Sequence, residues 1–207
     1  MSNNRRKASK KFSGMQVNQK YWKIVPFDPE KNVNLDLEFC KKFICSAGII
    51  AYYCKNKDQP KKICVGTYKD KKKNIVTNER TGFMGGIKRD ETIPQGVLRE
   101  VFEETCGTIT IDGCVMKYPG IMAYNEYKGH AMIVFFARVT EETSNDFFQE
   151  KVKKCRNPEI AELEWITVEE FKNLVYSDIP DKKGFILYKS LREIIKQSTI
   201  KIDDYLR

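Results

Sequence analysis

The order of apolar and polar positions predicts two groups of strands separated by a central helix. Residues 43–53 form a dense apolar run rich in strand-forming side chains, and residues 61–68 are predicted to be its hairpin partner across a polar loop. The later run at 130–139 is the strongest strand signal in the chain. Strands are therefore predicted at residues 43–53, 61–68, 108–111, 115–122, 130–139 and 162–166.

The sequence between the two groups specifies a helix at residues 92–105. Thr92 is a suitable N-cap, and Gln95 three positions later completes a capping box. Pro94 falls in the first turn, where its missing N–H costs little. Gly107 suits a left-handed stop at the other end.

Two amphipathic segments near the end of the chain predict further helices. One begins at Thr167, and the other spans residues 185–195. Residues 81–90 are rich in glycine and are predicted to be irregular. Strands on both sides of a helix, followed by late helices, predict an α/β (α+β) layered domain with a mixed sheet.

The chain is predicted to contain one domain with short additions at both ends. Its 207 residues suffice for one packed domain but not for two of full size. No apolar run is long enough to cross a bilayer and no secretory signal is present, so we expect a cytoplasmic protein without membrane contact. We expect a flexible basic tail at 1–22, an ordered N-terminal extension at 23–42, the main domain at 43–178 and a C-terminal helix packed on it at 179–207.

The positive charge is concentrated at the N-terminus. The formal net charge is +9, and residues 1–23 contain seven basic residues and no acidic one. This tail is either a solvated terminus or an electrostatic arm for RNA or another polyanion. A second basic cluster, Lys69 with Lys71, Lys72 and Lys73, is predicted at a hairpin tip, where it forms a solvated loop or a binding patch.

Cysteine and histidine usage argues against several kinds of site. The seven cysteines are odd in number, and no pair has CxxC spacing. Most of them lie in apolar runs, so buried free thiols are expected instead of disulfides or a zinc site. His130 is the one histidine, which excludes histidine-based triads and multi-histidine metal sites unless it acts alone.

Three glutamates of the predicted helix form one stripe. At about 100° per residue, Glu100, Glu103 and Glu104 fall within a narrow arc, and apolar residues including Phe102 fall on the other side, facing the sheet. Like charges at this spacing destabilise an isolated helix by roughly 0.2–0.5 kcal/mol per pair. The stripe is either a solvated acidic face or a site for a hard cation such as Mg²⁺ or Mn²⁺, which prefers carboxylate oxygens.

The residues before the stripe favour the cation. A glycine-rich loop allows the backbone to approach metal and phosphate closely. Arg99 lies off the stripe and can pair with Glu91, which would hold the loop against the helix. A purely solvated helix face needs neither of these features.

This segment resembles the signature of the Nudix family, G-x5-E-x7-R-E-U-x-E-E-x-G-U with U aliphatic. Two departures occur: Cys106 stands at the second glycine, with Gly107 one residue late, and Phe83-Met84 replaces the Pro-Gly before the first glycine. They affect the ends of the helix and leave the carboxylates in place. The resemblance implies a Nudix-type α/β/α sandwich with a mixed sheet. The residues in register with the signature are Gly85, Glu91, Arg99, Glu100, Val101, Glu103 and Glu104.

The resemblance also implies roles for these residues. One to three Mg²⁺ or Mn²⁺ ions would neutralise phosphate charge and activate a water molecule that attacks phosphorus. A later carboxylate would accept the proton, with Glu159 as first candidate and Glu162 as second. Phe83 and Tyr124 are candidates for lining the substrate pocket, although such aromatic residues are also typical of a core. The metal ligands would be Gly85, Glu100, Glu103 and Glu104, with Arg99 and Glu91 in support.

The family signature leaves open the group attached to the diphosphate. The basic tail, the residues beyond a minimal domain, and a Lys/Asn-rich sequence similar to decapping Nudix proteins of large DNA viruses favour the 5′ cap of mRNA. A dinucleoside polyphosphate or a diphosphoinositol polyphosphate is the alternative substrate. A non-catalytic Nudix-like binding module is the alternative of another kind. The expected partner is a nucleotide or capped RNA, and the sequence specifies no oligomeric state.

Overall fold

The computed structural model describes residues 22–27, 42–56, 59–111, 113–155, 158–177 and 179–206. The predictions for the basic tail and for most of the N-terminal extension lie outside these residues. The strands are β1 (Lys23–Phe27), β2 (Ile44–Tyr53), β3 (Lys62–Asp70), β4 (Ile75–Thr81), β5 (Phe83–Gly86), β6 (Gly120–Asn125), β7 (His130–Val139), β8 (Ile160–Thr167) and β9 (Ile186–Leu187). The helices are α1 (Ile93–Thr105), α2 (Asn145–Val152), α3 (Val168–Tyr176), α4 (Lys189–Gln197) and α5 (Ile202–Tyr205), with a 3-10 turn at Val115–Lys117.

The nine strands of the described residues form one mixed sheet. Its main path runs β1-β6-β7-β2-β3-β4-β9, and β5 and β8 branch from it by pairing with β2 and β3. The β2–β7 pair is parallel over its whole length, whereas β3 is antiparallel to β2, β4 and β8. Strands β2 and β7 are central in the sheet, which explains their long apolar runs. The predicted mixed sheet is confirmed.

Helices cover both faces of this sheet. Successive side chains on a strand point to opposite faces, so neighbours such as Ile49 and Ile50 enter different cores. One core lies under α1 and α2, and the other lies under α3, α4 and α5. Burying a large apolar side chain contributes about 1.5–3 kcal/mol, and both layers contain many. The predicted α/β/α sandwich is therefore confirmed.

Residues 108–111 do not form the predicted strand. The chain leaves α1 in a tight turn, where the Thr108 N–H and hydroxyl both donate to the carbonyl of Thr105. The carbonyl of Thr108 in turn accepts from the hydroxyl of Thr143. These hydrogen bonds satisfy the backbone groups of Thr108 without a neighbouring strand. The apolar content of residues 108–111 therefore reflects burial and not pairing as a strand.

Two other predicted elements are each divided in two. Residues 115–122 contain the 3-10 turn and then the start of β6. Residues 185–195 contain β9 and then the first part of α4, because Ile186 and Leu187 pair with β4. An amphipathic pattern does not distinguish a short edge strand from the first turn of a helix.

Three elements carried weak sequence signals. Most side chains of β4 are not buried, β5 has four residues including two glycines, and α2 buries only Phe148. Ser144 nevertheless caps α2 by accepting from the N–H of Phe147.

None of the helices in the described ranges is long and apolar enough to cross a membrane. The six cysteines within these ranges are free thiols; three of them are buried, whereas Cys106 and Cys155 are partly exposed and Cys114 is exposed.

Candidate active site

The helix α1 begins and ends where its sequence predicts, but the left-handed backbone starts one residue earlier than the predicted Gly107. The hydroxyl of Thr92 accepts from the N–H of Gln95, and the Gln95 amide oxygen accepts from the N–H of Thr92 at 2.9 Å. At the other end Cys106 is left-handed at φ 52, followed by Gly107 at φ 70. Phe102 was expected to face the sheet, but it is exposed and its ring lies over Gly107, where a Cβ would be 2.8 Å from Cε2. The glycine is needed for this contact.

Arg99 joins the glycine-rich loop to the helix. Its Nε lies 2.7 Å from Glu91 Oε1, and its Nη2 lies 2.9 Å from Glu91 Oε2, which is a bidentate pair. The same Nη2 donates to the carbonyl of Gly86 at 2.8 Å. The end of β5 and the loop after it are thus held against α1 at one point.

We expect Glu91→Gln to destabilise the protein by about 2 kcal/mol at neutral pH. Hydrogen bonds from Arg99 hold the pKa of Glu91 at about 2, below its ordinary 4.5. The contribution of the pair is therefore fully present above pH 4.5 and is lost as the pH falls towards 2. Urea unfolding of both proteins across this range should show a gap that closes at low pH. Glu141→Gln, at an exposed glutamate after β7, should show no such gap; a Glu91→Gln gap independent of pH would contradict the assignment.

The three glutamates of the stripe differ in their surroundings. Arg99 Nη1 contacts the carboxylates of both Glu100 and Glu103, the latter at 3.2 Å. Glu103 is exposed to solvent, whereas Glu104 is buried and accepts from the backbone N–H of Met84 at 2.6 Å. The stripe therefore extends from solvent to the interior of the protein.

Gly85 lies directly beneath the carboxylate of Glu100. A Cβ built at Gly85 would be 2.1 Å from Glu100 Oε2, so no other residue fits without displacing that side chain. The carbonyl of Gly85 accepts from the hydroxyl of Ser46 at 3.1 Å. This bond orients the Gly85 carbonyl, which is predicted from the family resemblance to be a metal ligand.

Burial and like charge act together on the inner carboxylates. Burial is the main cause of a raised pKa at both Glu100 and Glu104, and it raises the pKa of Glu104 well above its ordinary value. The negative charge of Glu159 adds to both increases. The fold thus brings a carboxylate from the segment before β8 close to two carboxylates of α1. The second candidate, Glu162, is exposed on β8.

Glu159 itself is paired with a lysine. Its Oε1 lies 2.6 Å from Lys71 Nζ, and its backbone carbonyl accepts from the N–H of Lys69 at 2.7 Å. Both lysines belong to the hairpin between β3 and β4. The pairing of β3 with β8 places this hairpin beside the segment that carries Glu159.

The two aromatic candidates for the substrate pocket are placed differently. Phe83 is fully buried in the core beneath α1, so its expected contact with substrate is wrong. Met84, the next residue of β5, points to the other face of the sheet and packs on the opposite core. Tyr124 is partly exposed and packs edge-on against Phe43, with ring centroids 5.9 Å apart. It lies against the small cluster that also contacts Ile87, the residue after β5.

A family comparison identifies this arrangement. Residues 63–187, more than half of the chain, match the NUDIX domain. The chain belongs to the Nudix family. It is accordingly a pyrophosphohydrolase, and Nudix hydrolases generally use divalent cations. No curated protein matches the chain.

Solved structures of Nudix proteins are similar to this chain at low identity. An Ap4A hydrolase from C. elegans is 14% identical, with 80% of this chain and 99% of that chain covered and a TM-score of 0.45. A NUDIX hydrolase from Nitrosomonas europaea is 12% identical, with 75% and 69% covered and a TM-score of 0.42. The NUDIX domain of Shewanella oneidensis NrtR complexed with ADP ribose is 12% identical, with 81% and 94% covered and a TM-score of 0.43. Such values say nothing about the substrate of this chain.

The donors on the Nudix helix suit a divalent cation in their chemistry. Carboxylate oxygens are the ligands that Mg²⁺ and Mn²⁺ prefer, and a cation would offset the repulsion between buried like charges. Among the described residues, however, no three acidic, cysteine or histidine side chains converge on one metal position. Arg99 draws Glu100 and Glu103 to itself, and Glu104 turns to the backbone of Met84. Side-chain rotation is therefore needed before a cation is held.

Three contributors to the Nudix site carried no distinct sequence signal. Ser46 lies in the apolar run of β2, Met84 contributes only a backbone N–H, and Lys71 is one of several hairpin lysines. All three reach the site through strand pairing. The period of two in β2 and β5 would have placed Ser46 and Gly85 together only if their register had been known.

Proposed function

We propose that this Nudix hydrolase cleaves a diphosphate linkage in a nucleoside diphosphate-X substrate with Mg²⁺ or Mn²⁺. The observation that carries the proposal is the carboxylate stripe of α1, in which Glu100 lies against Gly85 and Glu104 is buried at the N–H of Met84. The negative charge of Glu159 raises the pKa values of Glu100 and Glu104 further. A folded protein that retains such repulsion is adapted to a positively charged ligand.

Glu100, Glu103 and Glu104 would hold the cation, together with the carbonyl of Gly85. When bound, it neutralises phosphate charge and lowers the pKa of an adjacent water molecule. Arg99 keeps the loop and helix together through Glu91, so the ligands remain aligned when they turn towards a metal. The glycine at position 85 leaves room for this movement.

Glu159 is proposed as the general base. Its side chain is 41% exposed, so it is accessible to a water molecule at the mouth of the site. The water oxygen bonds to phosphorus, the P–O anhydride bond breaks, and the water proton passes to the Glu159 carboxylate. The leaving phosphate carries away the electron pair of the broken bond.

The substrate that charge favours most is the 5′ cap of mRNA. Residues 1–23 carry seven basic residues without an acidic one, which is suited to non-specific contact with an RNA chain. The lysines beside Glu159 also favour a substrate with several phosphates, as in a dinucleoside polyphosphate or a diphosphoinositol polyphosphate. These two substrates are the alternative to capped RNA.

An activity panel distinguishes these substrates. Capped RNA, diadenosine tetraphosphate, ADP-ribose and a diphosphoinositol phosphate would be incubated with the full chain and Mg²⁺ or Mn²⁺. We expect the highest kcat/KM on capped RNA and no turnover after chelation. A preference for a small substrate would favour the alternative, and binding without turnover of any substrate would indicate a non-catalytic module.

Deleting residues 1–20 should weaken capped-RNA binding by about 10- to 100-fold at low salt. The deletion removes six basic residues, so the dependence of affinity on salt should also become shallower. Turnover of diadenosine tetraphosphate should stay unchanged. A matched control keeps the tail length and replaces those six residues with serine; it should behave like the deletion. Equal losses on both substrates would contradict a role of the tail in RNA contact.

A further inference from the structure

The hairpin between β3 and β4 is an ordered element beside the segment that carries Glu159. Asp70 Oδ1 accepts from the N–H groups of Lys72 and Lys73, at 2.9 and 3.2 Å. Asn74 closes the turn with a left-handed backbone at φ 54. The N–H of Lys69 binds the carbonyl of Glu159 at 2.7 Å. The hairpin is thereby attached to the segment that carries the proposed general base.

Irregular strand pairing lies beside the base of the hairpin. The register of β3 shifts after Thr67 in its pairing with β4 and also in its pairing with β8. A bulge bends a strand and re-aims the side chains that follow it. Between Thr67 and Lys69, β3 advances by two residues while β4 advances by four, and between Thr67 and Tyr68 it advances by one while β8 advances by two. The extra residues therefore belong to β4 and β8, and β3 continues into the hairpin without one.

Lys71 is the hairpin lysine that reaches the active site. Its Nζ lies 2.6 Å from Glu159 Oε1, and its positive charge lowers the pKa of Glu104. Lys73, by contrast, pairs with Asp70 of its own turn at 3.8 Å and is 73% exposed. The two lysines are close in sequence and equal in charge but face different surroundings.

The pair between Lys71 and Glu159 is suited to exchange. The side chains are 43% and 41% exposed, and ion pairs at such positions contribute little to stability because water competes for both partners. A phosphate group offers more negative charge and more acceptor oxygens than one carboxylate. A polyphosphate entering the site therefore competes well for the ammonium group, and Glu159 becomes free to act on water.

We propose that Lys71 binds a phosphate oxygen of the substrate and releases Glu159 when it does so. This inference rests on the proposed function and adds a substrate-contacting residue from outside the Nudix helix. It predicts a preference for polyphosphate substrates, since the lysine supplies a positive charge beyond the carboxylate group that would hold the cation. Lys71 thus couples the arrival of the anion to the availability of the base.

Lys71→Met and Lys73→Met test this role as a matched pair, because both remove one charge from the same hairpin. For the best substrate of the panel, Lys71→Met should raise KM about tenfold with kcat changed far less, and Lys71→Arg should restore most of the loss. Lys73→Met should keep the KM of the wild type. Calorimetric titration with inorganic pyrophosphate and Mg²⁺ should show the same order of affinities. Unfolding curves should coincide for all the variants, since the pair is exposed.

The outcomes separate this inference from the proposed function. A KM and a pyrophosphate affinity unchanged in Lys71→Met would overturn it, as would equal losses in Lys71→Met and Lys73→Met. A fall in kcat alone would also overturn it, because Lys71 would then act only through Glu159. If the wild type hydrolyses nothing in the panel, the proposed function fails, and pyrophosphate titration still decides whether Lys71 binds phosphate.

Discussion

Replacing Glu104 with glutamine should lower kcat by about 10²- to 10⁴-fold while the protein stays folded. Glu104 is the buried member of the carboxylate stripe, and glutamine matches its shape without its charge. The new amide oxygen can still accept from the N–H of Met84, so the local structure needs no rearrangement. Activity on the preferred substrate, measured with saturating Mg²⁺ or Mn²⁺, gives the effect directly.

The stability of Glu104→Gln should move in the opposite direction to its activity. In a chelating buffer, burial and the charges of Glu159 and Glu100 disfavour the ionised form of Glu104, and the substitution removes that cost. We therefore expect an unfolding midpoint equal to or above that of the wild type. This combination distinguishes a functional charge from a structural one, because loss of a structural charge reduces stability.

Two further variants complete the test of the stripe. Glu103→Gln should also lose activity although its side chain is exposed, because it belongs to the same proposed ligand set. Glu150→Gln, at an exposed glutamate of α2, should retain full activity. Normal turnover by both Glu103→Gln and Glu104→Gln across the substrate panel would show that the assigned site is wrong.

Replacing Arg80 with methionine should destabilise the protein by about 3 kcal/mol. Arg80 is 2% exposed, and its guanidinium binds the Thr67 hydroxyl and the Glu164 carboxylate. Its Cζ also lies 3.8 Å from the centroid of the Phe185 ring. Methionine fills much of the space but leaves the buried Thr67 hydroxyl without its donor and leaves Glu164 with Lys183 alone. Loss of a buried donor is the costly part of breaking such a pair.

Urea unfolding followed by circular dichroism would measure this loss. The control is Lys183→Met, which removes the other cation bound to Glu164; Lys183 is 62% exposed, so the expected cost is less than about 1 kcal/mol. Kinetic constants of folded Arg80→Met should resemble those of the wild type, because Arg80 lies outside the carboxylate site. Equal stability losses in the two variants would contradict the importance we assign to burial.

Arg80 also shows why the C-terminal elements were difficult to delimit from sequence. Its carbonyl accepts from the N–H of Tyr188 at 2.7 Å, which continues the short β4–β9 pairing. Residues 185–195 have a helical apolar pattern, yet their first part is held as a strand by this distant partner. Because Arg80 and Tyr188 are far apart in the sequence, the contact cannot be predicted from the residues around either of them.

The helix of the active site was predictable because its determinants are local. The capping box, the carboxylate spacing and the pairing of Arg99 with Glu91 depend on residues fewer than ten positions apart. Strands β2 and β7 were equally clear, since central strands are buried on both faces and appear as continuous apolar runs. Phe102 was misplaced because a residue near the end of a helix can turn towards the following loop.

The sequence alone thus determined the Nudix helix and the kind of site it carries, because helix periodicity converts spacing directly into a shared face. Only the tertiary structure decided which other groups join it. The approach of Glu159 and Lys71, the burial of Phe83 and the seating of Glu100 over Gly85 all depend on how the strands pair. Register is a non-local property, and a shift of one residue in β5 would turn Phe83 to the other face of the sheet.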